Sequence, residues 1–496
     1  MSIKSFFARS YANGVHRNIS KWSMEASRSQ EFLFHELINQ AKHTIFGKEH
    51  GFGGIKSHEE FVRRVPIRDY EALAPYIEKV KAGERDVLWP GKPAYFAKSS
   101  GTTSGVKYIP LTKESIPNHI DSARNAILLY IYEKNSSAFV DGKMIFLSGS
   151  PVLENVSGIH TGRLSGIVNH HVPKYLKGNQ LPSFTTNCIE DWEQKVDAIV
   201  EETYNQNMTL ISGIPPWIQM YFEKLLRKTG KKTIKEVFPN FNLLIYGGVN
   251  FEPYRLQLFS TIGAEIDSIE TYPASEGFIA YQDSQKEKGL LLNVDSGIFF
   301  EFIPATEALN NNPTRLTIKD IELDVNYALV INSNAGLWGY LIGDTVKFVS
   351  KNPYRILVTG RIKHFISAFG EHVIAEEVET ALMELCNEEK ISVIEFTVAP
   401  QVNPKQGLPY HEWLIEFSET PTDIISFRNK LDELMQEKNI YYRDLINGNI
   451  LNPLHITSLP KESFRNYMKS IGKLGGQNKV PRLTNDRNLA DAILSL

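Results

Sequence analysis

Residues 95–110 read YFAKSSGTTSGVKYIP, and the centre of this stretch is too polar to belong to a hydrophobic core. Ser99 to Gly105 contains only serine, threonine and glycine, and Lys98 and Lys107 flank it. Small hydroxyl residues leave backbone amides accessible, glycine allows close approach of a ligand, and the lysines supply positive charge. The composition therefore predicts an oxyanion site suited to polyphosphate.

This stretch differs from a Walker phosphate loop. That motif has four residues between its glycines and a lysine followed by serine or threonine. Here three residues separate Gly101 from Gly105, Val106 precedes Lys107, and Tyr108 follows it. An ordinary polar hairpin loop is the alternative interpretation, because the same residues are common in turns. The residues alone leave both interpretations open.

The length, charge and cysteine content of the chain indicate its number of domains, its partners and its compartment. With 496 residues, we expect two or more domains. The net charge is −3 and no block of lysine or arginine stands out, so we expect no nucleic-acid partner. The only cysteines, Cys188 and Cys386, are far apart, which favours a reducing compartment.

The sequence predicts a cytoplasmic protein without stable membrane insertion. The first residues lack the uninterrupted apolar segment of a signal peptide, and no apolar run reaches the length of a membrane span. A weakly amphipathic first helix is expected to pack onto the rest of its domain.

Apolar runs such as Lys143–Ser148 and Leu243–Tyr246 alternate with helical patterns. This alternation predicts an α/β fold with a largely parallel sheet. Ligands of such sheets bind beyond the carboxyl ends of the strands. Three polar or glycine-bearing segments occupy such positions: Ser99–Gly105, Gly247-Gly248 and Tyr272–Glu276.

Four side chains outside the first loop are candidates for ligand contacts. Tyr272 offers a flat face to a base, and Glu276 offers a hard oxygen ligand to magnesium. Asp344 follows a glycine and is suited to accept hydrogen bonds from both ribose hydroxyls. Arg124 borders an apolar helical stripe, where it needs either an ordinary ion pair or a ligand carboxylate. The alternative interpretation of Tyr272, Glu276 and Asp344 is that they are ordinary loop or turn residues without a ligand.

The last part of the chain has the pattern of a small α+β domain, with strand-like segments at Ile391–Val398 and Trp413–Phe417 and a helix over Ile424–Lys438. We therefore place a domain boundary near residue 361.

Taken together and in order, the motifs resemble the acyl-acid amido synthetases. These are best known as plant enzymes that conjugate hormones such as auxin and jasmonate to amino acids, and they belong to the acyl-adenylate-forming superfamily. The resemblance covers nearly the whole chain. It rests on Phe61–Pro66 with Tyr70-Glu71, Ser99–Thr103, Gly213–Trp217, Tyr272–Glu276, Tyr340–Asp344 and Lys479–Arg482.

The resemblance implies a large α/β adenylate-forming domain with mostly parallel sheets over residues 1–360, which binds ATP and the acyl substrate. A small, mobile α+β domain would follow over residues 361–496. The implied reaction is ATP-dependent adenylation of a carboxylic acid, followed by transfer of the acyl group to an amino acid. The implied cofactors are ATP and Mg²⁺.

The same resemblance implies roles for individual residues. Lys479 would reach the α-phosphate and the acyl carboxylate, Glu276 would help to bind Mg²⁺, Tyr272 would stack near adenine and Asp344 would hold the ribose. Arg124 lies near the position where plant members present an arginine to the acyl acid. The other residues implied to contact the nucleotide are Ser99, Ser100, Gly101, Thr102, Thr103, Gly248, Val249 and Ser275.

Two departures from the plant pattern leave the acceptor open. The spacing from Gly101 to Lys107 is one residue tighter and closer to that of acyl-CoA synthetases, and Gly360–Lys363 with Phe369–Glu371 resembles the hinge of those enzymes. An acyl-CoA synthetase or a carrier-protein-loading adenylating enzyme is therefore the alternative. A non-enzymatic ATP sensor or scaffold with a degenerate site is the third hypothesis.

Overall fold

The structure is a computed structural model that describes residues 3–496 except 103–104, 173–176, 249–250, 309, 363–364, 367, 372 and 472–479. The chain forms two compact units. The first comprises Met1–Glu190, Asp197–Gly248 and Leu258–Ile362, and the second comprises Asp191–Val196, Val249–Gln257 and Lys363–Leu496.

The α-helices in the described part of the chain are α1 Ile3–Met24, α2 Ala26–Ala41, α3 Ile45–Glu49, α4 His58–Arg64, α5 Tyr70–Lys81, α6 Ile116–Lys134, α7 Leu164–His170, α8 Phe184–Asn187, α9 Trp192–Thr203, α10 Pro215–Thr229, α11 Ile234–Val237, α12 Glu252–Ile262, α13 Ala375–Glu389, α14 Ile424–Lys438, α15 Ile440–Asn447, α16 Ser463–Ser470 and α17 Asn488–Leu494. None of these helices combines the length and the apolar character needed to cross a membrane.

The strands in the same part of the chain are β1 Tyr95–Thr102, β2 Gly105–Leu111, β3 Lys143–Phe146, β4 Glu154–Val156, β5 Ile159–Arg163, β6 Gln180–Leu181, β7 Met208–Gly213, β8 Leu243–Gly247, β9 Asp267–Ala274, β10 Gly277–Tyr281, β11 Leu290–Leu292, β12 Ile298–Pro304, β13 Asn326–Ser333, β14 Tyr340–Lys351, β15 Tyr354–Arg361, β16 Phe365–Ile366, β17 Val373–Ile374, β18 Val393–Gln401, β19 Tyr410–Phe417 and β20 His455–Ser458.

The first unit contains an eleven-stranded sheet in the order β12-β13-β14-β15-β11-β10-β9-β8-β7-β3-β6. The α/β fold class is confirmed, with one correction to the predicted sheet. Pairing is parallel only from β9 to β6, and it is antiparallel from β12 to β9. The antiparallel pairing follows from the short connections between strands. A turn such as the one between β9 and β10 has too few residues for the crossover that parallel strands require.

A separate four-stranded sheet of the first unit has the order β2-β1-β5-β4. Strands β1 and β2 form an antiparallel hairpin in which Ser99 pairs with Lys107 and Thr102 with Gly105. Strand β5 lies parallel to β1 on its other side. The described residues of the polar stretch from Ser99 to Gly105 therefore belong to the end of a β-hairpin, which is the alternative that its turn residues left open.

The second unit is an α+β arrangement. Strands β18 and β19 pair antiparallel, and β20 lies parallel to β19 after the helices α14 and α15. A buried carboxylate, Glu371, contacts His411 at 2.8 Å. The ring of His411 stacks on that of Tyr442, with 5.1 Å between their centroids. These contacts tie the segment before α13 to the sheet of this unit.

A buried carboxylate also joins distant parts of the first unit. Glu301 of β12 is fully buried and receives hydrogen bonds from Arg315 at 2.6 and 2.9 Å, and it contacts His58 Nε2 at 2.7 Å. Burial raises the pKa of Glu301, but the charge of Arg315 and the hydrogen bonds from His58 and Arg315 outweigh this effect and lower the pKa to about 2. The carboxylate is therefore ionised throughout the physiological range.

We expect Arg315→Met to lower the free energy of unfolding by about 3–5 kcal/mol, because it leaves the buried charge of Glu301 without its partner. The difference from wild type should be full above pH 4.5 and should shrink as the pH falls towards 2, since the folded-state pKa is depressed. Urea unfolding between pH 7 and pH 3 measures both effects.

The matched control is Arg28→Met. Arg28 pairs with Glu25 at 3.8 Å on the surface, and its side chain is 85% exposed, so we expect a loss of roughly 0.5 kcal/mol or less. Equal losses in the two variants would contradict the role assigned to Glu301.

Candidate active site

Two of the three segments singled out by the sequence lie at adjacent strand ends. Strands β8 and β9 are parallel, and Gly247 pairs with Thr271. A Cβ at Gly247 would lie 2.4 Å from the carbonyl oxygen of Thr271, so only glycine allows this spacing. Gly248 has a φ of +83°, which favours glycine, and a Cβ there would meet no described atom within 4 Å. The two strand ends thus present an open backbone edge.

Tyr272 and Asp344 lie in direct contact. The Tyr272 hydroxyl donates a hydrogen bond of 2.5 Å to Asp344 Oδ2, and both side chains are less than 10% exposed. Tyr272 is near the end of β9 and Asp344 is near the start of β14, and three strands separate β9 from β14 in the sheet order. The sheet therefore brings the predicted adenine-binding and ribose-binding residues together.

Glu276, like Asp344, accepts a hydrogen bond from a tyrosine hydroxyl. It lies in the turn between β9 and β10, is 8% exposed, and its Oε1 accepts a hydrogen bond of 3.2 Å from the hydroxyl of Tyr340. Ser275 is half-buried in the same turn. A nearly buried carboxylate at the end of a strand is suited to a divalent cation.

Asn118 is a site residue that the sequence argument missed. Its Oδ1 accepts a hydrogen bond of 2.6 Å from the Phe278 amide, and its Nδ2 donates to the Phe278 carbonyl at 3.3 Å and to Ser296 Oγ at 2.8 Å. It therefore fixes the start of β10 directly after Glu276. A polar residue within the buried stripe of α6 was the available signal.

The hairpin of β1 and β2 places only part of the predicted phosphate loop. Ser99 is half-buried and pairs with Lys107 across the hairpin. Ser100, Gly101 and Thr102 belong to β1 by backbone, and Thr103 lies outside the described residues. The two flanking lysines point to protein partners: Lys98 forms an ion pair of 2.6 Å with Glu154, and the amine of Lys107 lies 5.8 Å from the ring centroid of Tyr70.

Arg124 has protein contacts of its own. Its guanidinium forms an ion pair of 2.9 Å with Asp121 and lies over the ring of Tyr11 at 5.6 Å. The ordinary ion-pair alternative is thus observed. Within the described part of the chain its buried Nε has no hydrogen-bond partner. A contact with a ligand carboxylate stays a prediction.

Lys479 and Val249 lie outside the described residues, so the structure does not test their predicted roles. Among the residues that it does describe, no three His, Cys, Asp or Glu side chains are grouped to hold a metal ion. Magnesium that is bound through nucleotide phosphates needs only one or two protein carboxylates. The single carboxylate of Glu276 fits that requirement.

Comparison with known proteins gives the family. The sequence profile described as the GH3 family N-terminal domain matches residues 15–187, the GH3 family central domain matches residues 291–361, and the GH3 family C-terminal domain matches residues 376–488. The chain belongs to the GH3 family. The resemblance to the acyl-acid amido synthetases is thereby confirmed.

Curated relatives of this GH3 chain cover almost its whole length. A jasmonoyl–L-amino acid synthetase of Nicotiana attenuata, JAR4, is 22% identical, and the match covers 94% of this chain and 92% of the relative. The indole-3-acetic acid-amido synthetase GH3.3 of Arabidopsis thaliana is 21% identical, with 94% and 91% covered.

Solved structures share the fold of this GH3 chain. The GH3.15 acyl acid amido synthetase matches with a TM-score of 0.61 and 14% identity, over 97% of this chain and 95% of that one. A 2-hydroxyisobutyryl-CoA ligase in its thioesterification state matches with a TM-score of 0.53 and 14% identity, over 95% and 90%.

We expect Asn118→Ala to lower the free energy of unfolding by about 1–3 kcal/mol, because the buried Phe278 amide loses its side-chain acceptor, although the Phe278 carbonyl keeps a hydrogen bond from Asn293. Thermal unfolding measures the loss. The control is Asn39→Ala, which removes only an exposed contact with Lys42. A variant at position 118 as stable as this control would refute the assigned role.

Proposed function

We propose that this GH3 chain is an ATP-dependent, AMP-forming ligase that adenylates a carboxylic acid and transfers the acyl group to an amino acid. The observation that carries the proposal is the meeting of the Tyr272–Glu276 and Tyr340–Asp344 segments through two tyrosine–carboxylate hydrogen bonds. Asp344, the proposed ribose acceptor, and Glu276, the proposed metal ligand, each accept a hydrogen bond from a tyrosine of the other segment. The names of the curated relatives support the same reaction.

The chemistry explains why ATP is needed. A carboxylate is a poor acyl donor because its negative charge repels nucleophiles. In the first step a carboxylate oxygen attacks the α-phosphorus of ATP, a new P–O bond forms, and the bond to pyrophosphate breaks. In the second step the amine nitrogen attacks the carbonyl carbon, the C–O bond to AMP breaks, and the nitrogen releases a proton to solvent.

The residues of the first unit would bind and orient the nucleotide. Asp344 accepts from the ribose hydroxyls, and the ring of Tyr272, held by its own hydroxyl, presents a face to adenine. Gly248 leaves the backbone open beside the base, and Ser99 with the following hydroxyl residues would contact the phosphates. Donors aimed at the phosphate oxygens stabilise the charge that develops in the transition state.

Magnesium bound with ATP would neutralise phosphate charge, and Glu276 is the residue that would hold it. Its carboxylate is nearly buried and its Oε1 is already oriented by Tyr340. A hard oxygen ligand at a strand end that also offers ribose and base contacts fits the magnesium–nucleotide complex.

We also propose residues 1–360 and 361–496 as the two functional domains, with Lys479 in the second acting in adenylation and Arg124 as a candidate contact of the acyl acid. A second domain that moves between half-reactions would exclude water from the acyl adenylate and then admit the acceptor. A cytoplasmic location is supported by the two free cysteines, Cys188 and Cys386.

Purified protein with ATP and Mg²⁺ should release pyrophosphate only when a suitable acid is present, and mixed amino acids should raise the rate. We would test a panel of aryl, indolyl and fatty acids and detect the amide by its mass. Stimulation by coenzyme A alone would instead assign the protein to the thioester-forming enzymes. No release with any acid would refute the proposed reaction.

Lys479→Ala should abolish acid-dependent pyrophosphate release, because the positive charge that stabilises the transition state is lost, while ATP binding stays near that of wild type. Stopped assays of pyrophosphate and calorimetric titration of ATP measure the two properties. Lys473→Ala in the same glycine-bearing region serves as the control and should keep its activity. Equal pyrophosphate release by the position-479 variant and wild type would contradict the assigned role.

A further inference from the structure

The two candidate site segments exchange hydrogen bonds reciprocally. In each, a tyrosine precedes an acidic residue by four positions: Tyr272 precedes Glu276, and Tyr340 precedes Asp344. The first tyrosine donates to the acid of the second segment, and the second tyrosine donates to the acid of the first. We name these four residues the tyrosine–carboxylate brace.

Both the tyrosines and the acids of the brace are buried. Tyr340 is fully buried, and each of the other three side chains is no more than 8% exposed. A buried phenol requires a hydrogen-bond partner, and a carboxylate that accepts from it is held in one orientation. When Glu276 Oε1 accepts from Tyr340, the second oxygen, Oε2, is the one that remains to bind a cation.

Tyr340 itself is held in place by its neighbours along the chain. The amide of Gly339 donates to Asn332 Oδ1 at 2.7 Å, and the carbonyl of Gly339 accepts from the Arg68 amide at 2.8 Å. On the other side, the Leu341 amide donates to the Arg68 carbonyl at 2.8 Å. Hydrogen bonds of the residues on both sides of Tyr340 therefore fix the backbone that carries its phenol.

We propose that Tyr340 is a positioning residue that orients Glu276 for the magnesium–nucleotide complex, in the same way that Tyr272 orients Asp344. This inference rests on the proposed function. Tyr340 touches neither nucleotide nor metal and acts through Glu276, so its loss weakens the contribution of magnesium to ATP binding and leaves the metal-free contacts of the nucleotide intact.

A core-packing role for Tyr340 gives a different result. Loss of packing would lower stability and would weaken ATP binding equally with and without magnesium. The deciding quantity is therefore the magnesium gain, which is the Kd of ATP in excess EDTA divided by its Kd in saturating Mg²⁺. Because both Kd values are measured on the same variant, a general loss of stability affects them equally and cancels in their ratio.

The experiment is calorimetric titration of ATP, without acid, into the full-length protein. We expect Tyr340→Phe to reduce the magnesium gain about tenfold, which is typical for one hydrogen bond to a charged group, with the Kd in EDTA within twofold of wild type. Glu276→Gln should abolish the gain, and adding Tyr340→Phe to it should change nothing further.

Two further variants keep the test independent of damage at position 340. Glu276→Asp keeps the charge but shortens the side chain away from the Tyr340 hydroxyl, so it should reproduce the partial loss. Tyr327→Phe is the matched control, because Tyr327 is a buried tyrosine of β13 whose hydroxyl, among the contacts described, accepts only from the Glu322 amide, five residues earlier in the chain. It should leave the magnesium gain unchanged.

A magnesium gain in Tyr340→Phe equal to that of wild type overturns the inference while leaving the proposed function intact. The same is true if Glu276→Gln keeps part of the magnesium gain and Tyr340→Phe then lowers that remainder, since Tyr340 would act through a group other than Glu276. If the wild-type protein binds no ATP with or without magnesium, the proposed function fails and the inference fails with it.

Discussion

The buried carboxylate of Glu301 is the charge on which the antiparallel half of the large sheet depends. Arg315 forms an ion pair with it, His58 contacts it, and Asn332 donates to its Oε2 at 2.8 Å. The other end of the Asn332 amide accepts from Gly339, the residue before Tyr340. Hydrogen bonds thus run from an ion pair in the core to the backbone directly before Tyr340, the tyrosine that contacts Glu276. Removal of one partner of such a buried ion pair is strongly destabilising, because it leaves an uncompensated charge in the core.

The candidate site combines an open backbone with buried, hydrogen-bonded side chains. At the parallel strands β8 and β9, glycines leave the chain open to a ligand. At the antiparallel strands, buried side chains fix the acids through phenol hydroxyls. Nucleotide binding needs both properties, because the base and phosphates require close backbone approach, whereas the metal and ribose require carboxylates of fixed orientation. We propose that the change in strand direction within one sheet supplies both.

Sequence reasoning could single out candidate residues only where the chemistry is local. The Tyr272–Glu276 and Tyr340–Asp344 segments carry their residue types within five positions, and an ion pair was one of the two alternatives left open for Arg124, whose partner Asp121 lies one helical turn away. It could not find the brace, because the hydrogen-bonded residues are 64 and 72 residues apart. Asn118 was missed for the same reason, since Phe278 is 160 residues away. The antiparallel half of the sheet was missed because apolar runs do not encode strand direction.

The central proposal is that one end of the sheet binds the magnesium–nucleotide complex through Glu276 and Asp344. The most direct measurement is a crystal structure with ATP and Mn²⁺, in which the anomalous signal of manganese locates the metal. We expect manganese within bonding distance of Glu276, and we expect the ribose hydroxyls to donate hydrogen bonds to Asp344; the proposal requires both. A nucleotide bound elsewhere, or a metal without contact to Glu276, would contradict it.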